Sequence, residues 1–439
     1  MKICEAVREA GGRAMLVGGS VRDRLLGIES KDLDLEVYSL EPDSLLALLK
    51  SIGSVNTVGE HFSVYKLAFY RSTESPSGKR ERFEIDVSIP RRESKSGRGH
   101  RGFIIEGDPG MTFEEAARRR DFTINAILFD PLTGEIVDPF GGAQDLKRRA
   151  LRAVAADTFI EDSLRVLRAV QLAARFEMEI EPQAAQLCRS IEMSDLPRER
   201  IWGEVEKLLT LAERPSIGLE AALELGVLEK LFPELFALAK RGDAFAHTLR
   251  CLDEAAKLTA TLPKEKRITV MLAALCHDLG EPDATDRGEA AEGVALSILD
   301  RLGVHTLSGY DARSQALALA REHQRPGEFY RDREQIEDGR IRRLAGKADL
   351  DLLYRVAKAC AAGRGDASTV AEEWFIEKAL SLGVEHSAPA PVLMGRHLIE
   401  MGIDPGPRMG EILRQIYELQ LDGEVSTLEE AIAAARRFM

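Results

Sequence analysis

Apolar and polar positions alternate along the first third of the chain and recur at helical spacing along the rest. Between residues 1 and 150, short stretches of period two predict strands, and stretches with apolar residues three and four apart predict helices. From about residue 155 onward the pattern is almost wholly helical. The sequence therefore predicts an α/β head followed by a long α-helical remainder. The predicted strands are Ala14–Gly18, Leu33–Tyr38, Ser63–Phe69, Arg82–Ile89 and Ile124–Phe129, and the predicted helices of the head are Val21–Leu26, Pro42–Ile52 and Thr112–Arg119.

Composition narrows the class of protein. A chain of 439 residues is long enough for two to four domains. It has no apolar run near eighteen residues and no apolar leader at its start, so we expect no membrane span and a cytoplasmic location. The five cysteines form no CxxC pair and are expected to be reduced thiols. The net charge of −13 means that nucleic-acid binding would need a local basic patch.

A pair of glycines follows the first predicted strand. Gly18 and Gly19 allow a tight turn and a close approach of the backbone to a ligand, before a helix that begins at Ser20. The free N–H groups at the start of that helix favour an anion such as a triphosphate. The stretch Gly18–Asp23, which includes Arg22, is therefore a candidate phosphate-binding turn, and the alternative is an ordinary turn.

Acidic and apolar residues alternate in the second predicted strand. Asp32 and Asp34 alternate with Leu33, Leu35 and Val37, which places both carboxylates on one face and the apolar residues on the core face. Two neighbouring carboxylates repel each other unless a cation lies between them. The pair therefore predicts a Mg²⁺ site beside the glycine turn, and the alternative is a solvated strand face.

The same alternation recurs in residues 83–89, where Asp86 is on the polar side. If this strand lies beside the strand of Asp32 and Asp34, three carboxylates converge, as phosphoryl transfer with two metal ions about 3.5–4 Å apart requires. Glu84 is the competing candidate for the third carboxylate.

Together, the Gly18–Asp23 and Lys31–Val37 stretches resemble the class II tRNA nucleotidyltransferase (CCA-adding enzyme) and bacterial poly(A) polymerase family. The resemblance implies a head with a mixed β-sheet similar to that of polymerase beta, and an elongated all-α neck, body and tail. It also implies two Mg²⁺ ions in the head and places the third carboxylate at Asp86.

Further segments of the head carry the resemblance. The RRD motif of the family falls on Arg119, Arg120 and Asp121, which implies that the last arginine contacts nucleotide phosphates and that Asp121 and Asn125 brace the loop. The basic, glycine-rich stretch Arg91–Arg101 resembles the flexible loop with which the pocket reorganises between C and A addition.

The first helix after the head resembles the family's base-recognition element. Asp162, Arg165 and Arg168 share one helical stripe by i, i+3 spacing, and a surface ladder of ion pairs is the alternative. The resemblance implies that Asp162 and Arg165 select the incoming base and that Arg168 lies nearer the phosphates. Residues 196–204 resemble a segment that braces this helix, and Gln171 stands where the family usually carries a further arginine.

A later segment resembles the metal-binding HD phosphohydrolase module. Its candidate residues are His247, His277 and Asp278, with His323 as a later member. Glu289 stands where active relatives carry a histidine, so we expect a degenerate domain, weak or inactive as a phosphohydrolase, whose binding of a divalent metal stays open.

These observations predict four regions: a catalytic head (1–150), a neck for base recognition (151–212), a helical body with the HD-like domain (213–340) and a tail (341–439). The resemblance implies addition of C, C and A to the 3′ end of tRNA from CTP and ATP, with the tail holding the acceptor stem and TΨC arm. The alternatives are an enzyme that adds only the terminal A, a poly(A) polymerase, or an HD phosphohydrolase with an RNA-clamping head.

Overall fold

A computed structural model describes residues 1–29, 33–57, 64–72, 80–95, 103–280, 287–365 and 368–438. These residues form two compact units. The first unit comprises residues 1–204 and 224–230, and the second comprises residues 205–223 and 231–439. The division of the chain into four functional regions stays a prediction.

The first unit alternates strands and helices up to residue 151 and is mainly helical beyond it. Its helices are α1 (Lys2–Glu9), α2 (Gly19–Leu25), α3 (Pro42–Ile52), α4 (Phe113–Arg118), α5 (Gly142–Arg148), α6 (Ala156–Phe159), α7 (Leu164–Phe176) and α8 (Pro182–Ser190), with a 3₁₀ turn at Thr123–Asn125 and with α9 (Arg198–Leu211) beginning in this unit. Its strands are β1 (Arg13–Val17), β2 (Leu33–Tyr38), β3 (Ser54–Thr57), β4 (Val64–Ser72), β5 (Arg80–Ser88), β6 (Arg91–Lys95), β7 (Phe103–Gly107), β8 (Leu128–Phe129), β9 (Ile136–Val137), β10 (Ala150–Leu151) and β11 (Glu179–Ile180).

Seven strands form one mixed sheet in the order β3-β4-β5-β2-β1-β8-β9. The β2–β5 pair is parallel, and the other pairs are antiparallel. One face packs against α1 and α3 through a core that includes Leu35, Val37 and Val87. The other face carries Met15, Val17 and Tyr38, which pack against Ala116 and Ala117 of α4. The predicted mixed α/β head is confirmed.

Two predicted segments of the head differ from the structure. The strand expected at Ile124–Phe129 is reduced to β8, because the 3₁₀ turn that precedes it occupies Thr123–Asn125. The stretch Arg91–Arg101 was expected to be a loop, but its first five residues form β6, which pairs with β7 as an antiparallel ribbon. β6 was not predicted because its sequence, RRESK, lacks the apolar alternation of a half-buried strand. Residues 96–101 of the predicted flexible loop lie outside the described residues.

The second unit is all helical. Apart from the end of α9, its helices are α10 (Pro215–Glu224), α11 (Val227–Leu231, shared with the first unit), α12 (Pro233–Ala239), α13 (Asp243–Leu258), α14 (Lys264–Cys276), α15 (Arg287–Leu302), α16 (Ala312–Glu322), α17 (Arg325–Arg331), α18 (Asp338–Ala345), α19 (Leu350–Gly363), α20 (Val370–Ser381), α21 (Gly395–Glu400), α22 (Pro407–Asp422) and α23 (Leu428–Ala435).

Helices α13, α14, α16 and α19 pack around one another, and α14 is buried along nearly all of its length from Ile268 to Cys276. The last helices, α21 to α23, share a separate apolar cluster. All five cysteines are buried and form no disulfide, as expected. Among the described residues, no helix combines the length and the apolar character that crossing a membrane requires.

Candidate active site

The glycine turn joins the end of β1 to α2. Gly18 has φ 71° and ψ −139°, a backbone conformation that side chains with a Cβ rarely adopt. A Cβ at Gly18 would lie 3.1 Å from Nη1 of Arg120 and 3.8 Å from Oδ2 of Asp34. The turn therefore runs directly beside a guanidinium group and a carboxylate, and the lack of a side chain keeps this space open. The Ser20 hydroxyl points back and donates to the Val17 carbonyl at 2.9 Å.

Strand pairing brings two predicted carboxylates together. In the parallel β2–β5 ladder, Asp34 lies opposite Asp86, so both side chains are on the same face of neighbouring strands. Asp86 is half exposed, and its Oδ1 atom lies 3.8 Å from the Lys66 ammonium of β4. Asp32 lies outside the described residues. Carboxylate oxygens at the exposed end of a strand pair are suitable ligands for a hard divalent cation.

Glu36 lies two residues beyond Asp34 on the same face of β2. It is only 1% exposed, so the alternative of a solvated strand face does not hold at this position. Its carboxylate accepts from Arg119 at 2.7 Å and from the Tyr38 hydroxyl at 2.6 Å. Arg120 lies 3.8 Å away. Burial opposes ionisation of Glu36, but the charges of Arg120 and Arg119 outweigh it and hold its pKa below the ordinary value. Glu36 thereby fixes both arginines of the RRD motif.

Asp121 lies at the centre of a buried polar network. It accepts from Arg168 at 2.6 Å and from the side-chain amide of Asn125 at 2.9 Å. Asn125 in turn accepts from Arg22 at 2.7 Å. Burial would raise the pKa of Asp121, but the Arg168 charge and these hydrogen bonds lower it to about 2.

This network bears on the predicted role of Arg22. The side chain is buried and its guanidinium group is held by Asp23 and Asn125, with the Phe176 ring 4.4 Å below. The structure places Arg22 inside the fold, so it braces the glycine turn from within. Arg168 contacts two carboxylates, that of Asp121 at 2.6 Å and that of Glu204 at 3.9 Å.

The predicted base-recognition residues lie at the start of α7. Asp162 pairs with both terminal nitrogens of Arg200, at 3.2 and 3.0 Å. Arg165 donates to two backbone carbonyls, of Thr158 at 2.7 Å and of Arg119 at 2.5 Å. Arg165 therefore connects the start of α7 to the backbone just after α4. The ion pair between Arg200 and Asp162 fits the bracing role expected of residues 196–204.

A second cluster of polar residues lies within the second unit. The ligand atoms of His247, Cys251 and His277 are all within 4.8 Å of one another. Asp278 approaches both imidazole groups. His323 is buried, its ring packs edge-on against that of His277 at 5.1 Å, and burial lowers its pKa to about 4.

Cys251 and its neighbour Cys360 were not predicted from the sequence as members of this cluster. The Cys360 side chain hydrogen-bonds to Cys251, and this contact, with those of the two histidines, holds the pKa of Cys251 below its ordinary value. Cys251 follows His247 by four residues on α13, a spacing that the sequence does show. Nothing in the sequence indicates the approach of Cys360 from α19.

Three segments of the chain match models of known protein families. Residues 14–152 match the Poly A polymerase head domain, residues 177–238 match the probable RNA and SrmB-binding site of polymerase A, and residues 244–352 match the HD domain. The Multifunctional CCA protein of Xanthomonas campestris pv. campestris (strain B100) is 34% identical over 419 residues, which cover 91% of this chain and 95% of that protein.

The chain belongs to the family of multifunctional CCA proteins. The resemblance read from the sequence is thereby confirmed. Another member, the Multifunctional CCA protein of Pasteurella multocida (strain Pm70), is 39% identical over 282 residues, or 61% of this chain. That alignment spans only 62% of the Pasteurella protein.

Solved structures with the same fold include the Bacillus stearothermophilus CCA-adding enzyme in complex with CTP, with a TM-score of 0.67 and 22% identity. That match covers 99% of this chain and 96% of the other. The Thermotoga maritima CCA-adding enzyme complexed with tRNA matches with a TM-score of 0.61 and 20% identity, over 99% and 93% of the two chains. The fold of this family member is therefore that of the CCA-adding enzymes.

Proposed function

We propose that the protein adds C, C and A to the 3′ end of tRNA, using CTP and ATP, without a nucleic-acid template, and releases pyrophosphate. One observation carries this proposal: Asp34 and Asp86 lie in register on neighbouring parallel strands, beside the Gly18 turn and Arg120. Two carboxylates, an open backbone turn and a fixed guanidinium group therefore lie within one small region of the head, which supports the proposal.

Asp34 and Asp86, with Asp32 as the third predicted ligand, would hold two Mg²⁺ ions. Their donor atoms are carboxylate oxygens, which fit this hard cation. When bound, the two ions lower the pKa of the attacking 3′-hydroxyl and neutralise charge on the triphosphate and leaving pyrophosphate. The carboxylates themselves orient the reacting groups by their fixed register across the sheet.

The triphosphate would lie along the Gly18–Gly19 turn, where no side chain intervenes. Arg120 faces this space and supplies positive charge opposite the phosphates. Glu36 lies beneath Arg119 and Arg120 and acts as a positioning residue, because it is buried and bonds to the arginine pair rather than to the ligand space. Asp121, Asn125, Arg22 and Arg168 stiffen the same region from behind.

Base selection is assigned to Asp162 and Arg165. Carboxylate and guanidinium groups offer acceptors and donors that match the edge of cytosine, and a small rotation matches adenine. Arg165 is anchored to backbone carbonyls and Asp162 to Arg200, so both groups are held in fixed directions. The tRNA substrate is supported by the family, and the tail from 341 onward is the proposed site for its acceptor stem and TΨC arm. We place this activity in the cytoplasm.

The test uses purified protein and three tRNA transcripts that end before CCA, after C and after CC, each incubated with CTP or ATP and Mg²⁺. We expect C to be added to the first two transcripts and A only to the third. The Asp34→Asn and Asp86→Asn variants should add neither nucleotide, whereas Asp43→Asn, an exposed acid on α3, should add both. Full addition by the Asp34 variant would refute the site.

The same assay separates the alternatives. Addition of A alone to the CC transcript would identify an enzyme for the terminal nucleotide, and long runs of A on any transcript would identify a poly(A) polymerase. Release of phosphate without nucleotide addition would favour the HD phosphohydrolase.

A further inference from the structure

Three charged side chains lie in one row across the sheet of the first unit. Lys66 of β4 lies opposite Asp86 of β5, and Asp86 lies opposite Asp34 of β2. Paired residues of neighbouring strands point to the same face of a sheet, so the three side chains share its polar face. Tyr65 and Leu67, the neighbours of Lys66 along β4, are buried in the core on the other face. The alternation of β4 therefore places the Lys66 side chain beside the carboxylates.

The contact with Asp86 directs the Lys66 side chain but leaves its ammonium group available. The ammonium nitrogen lies 3.8 Å from Oδ1 of Asp86, which is longer than a hydrogen bond, and the Lys66 side chain is 41% exposed. Among the described residues, Asp86 is the one carboxylate within 4.0 Å of this nitrogen. An ammonium group has three donors, so Lys66 can bind a further acceptor that arrives from solvent.

The two ends of this row have different surroundings. The Gly18 turn and Arg120 lie at the Asp34 end, where the triphosphate is proposed to bind. Lys66 lies at the opposite end, beyond Asp86. In phosphoryl transfer the attacking and leaving oxygens are roughly in line, on opposite sides of the transferred phosphorus. With the triphosphate at the Asp34 end, the acceptor strand therefore approaches from the Asp86 end, which is the end that Lys66 occupies.

We propose that Lys66 binds the phosphate group of the last nucleotide of the acceptor RNA and thereby holds the 3′-hydroxyl toward Asp86. This inference rests on the proposed function and names a residue that contacts its second substrate. The ammonium group offsets the negative charge that the RNA strand brings to a site already rich in carboxylates. A phosphate contact carries no information about the base, so Lys66 serves equally the transcripts that end before CCA, after C and after CC.

The test measures KM for tRNA and KM for CTP separately, with the full-length protein and the transcript that ends before CCA. Lys66→Met keeps most of the length of the side chain but removes its charge. It should raise KM for tRNA about tenfold, because one charge-assisted hydrogen bond to phosphate is lost. KM for CTP should stay within about twofold of the wild-type value, since the triphosphate lies at the other end of the row. The slope of log KM for tRNA against log salt concentration should fall by about 0.7, the contribution of one phosphate contact to a single strand.

Two further variants make the result specific to the charge. Lys66→Arg keeps a positive charge and should bring KM for tRNA back to within about threefold of the wild-type value. Lys50→Met, which removes an exposed lysine of α3, is the matched control and should leave both KM values unchanged. A loss confined to kcat or to KM for CTP would overturn the inference, as would Lys66→Met protein that behaves like Lys50→Met. Wild-type protein that adds no nucleotide would instead refute the proposed function, so the two failures are distinguishable.

Discussion

Among the residues that the structure describes, two clusters offer possible metal ligands, and they differ in donor atoms. The cluster of the head offers carboxylate oxygens, and the Asp86 side chain is 40% exposed. The cluster of the second unit combines nitrogen, sulfur and oxygen; the side chain of His277 is 1% exposed and that of Asp278 is 32% exposed. Carboxylate oxygens suit a hard divalent cation, whereas imidazole nitrogen and cysteine sulfur suit transition metals.

The two clusters are also assembled differently. The carboxylates of the head meet through the register of two strands, so their separation is fixed by backbone hydrogen bonds. The second cluster is built from residues four apart on one helix and adjacent residues at the end of another. Donor chemistry, rather than the number of acidic residues, therefore distinguishes the two clusters.

The sharpest test of this difference is brief treatment with EDTA. Nucleotide addition should fall to background, because exposed carboxylates release Mg²⁺ readily, and should return fully when Mg²⁺ is added. Addition to the CC transcript is measured before the treatment, after it and after Mg²⁺ is restored. Activity that survives the treatment would contradict the proposed Mg²⁺ site of the head.

Asp34→Asn should reduce nucleotide addition by about a thousandfold, since loss of a metal ligand removes several kcal/mol of charge stabilisation in the transition state. Single-turnover addition of CTP to the transcript that ends before CCA measures the effect, with Asp43→Asn as the control. Retention of a tenth or more of the wild-type rate would contradict the assignment.

A smaller effect concerns stability in acid. The folded pKa of Asp121 is about 2 against an ordinary value of 3.8, so its ionised form stabilises the folded head above about pH 4. That stabilisation, about 2 kcal/mol, is lost as the pH falls from about 4 to about 2. The difference in unfolding free energy between wild type and Asp121→Asn should shrink by this amount over that range.

Urea unfolding monitored by the fluorescence of Trp202 measures this loss. Trp202 is in the first unit and the other tryptophan, Trp374, is in the second, so Trp374→Phe provides a background in which only the first unit reports. A constant difference between wild type and variant down to pH 2 would show that Asp121 is not preferentially ionised in the folded head.

The smallest effect is expected for Arg165→Ala. Hydrogen bonds to a base edge are worth roughly 1–3 kcal/mol, so selection of CTP and ATP over UTP and GTP should weaken by about tenfold. Arg189→Ala, which removes an exposed arginine of α8, is the control. Competition assays with paired nucleotides measure the ratio of kcat/KM. Unchanged selectivity with slower addition would assign Arg165 to the anchoring of α7 alone.

Local sequence patterns predicted the features of the fold that residues close together in the sequence determine. The alternation in β2 and β5 predicted both strands, and the glycine pair predicted the turn whose φ at Gly18 is positive. The burial of Glu36 could not be predicted this way, because it depends on Arg119 and Arg120, which follow α4 and lie more than eighty residues later in the chain. The contact between Cys251 and Cys360 could not be predicted either, because it depends on how the helices pack and not on spacing in the sequence.

The parallel pairing of β2 with β5 also has a consequence for folding. The Ser88 hydroxyl donates to the Leu35 carbonyl across 53 positions of the chain, and Asp34 and Asp86 meet through this same ladder. Contacts between distant positions form late, because the entropy of closing the intervening loop is lost before they contribute. The two carboxylates therefore come together only after synthesis has passed Ser88 and the central strands have paired. An incompletely folded head has no paired carboxylates, so the proposed nucleotide addition is expected only of chains whose sheet is complete.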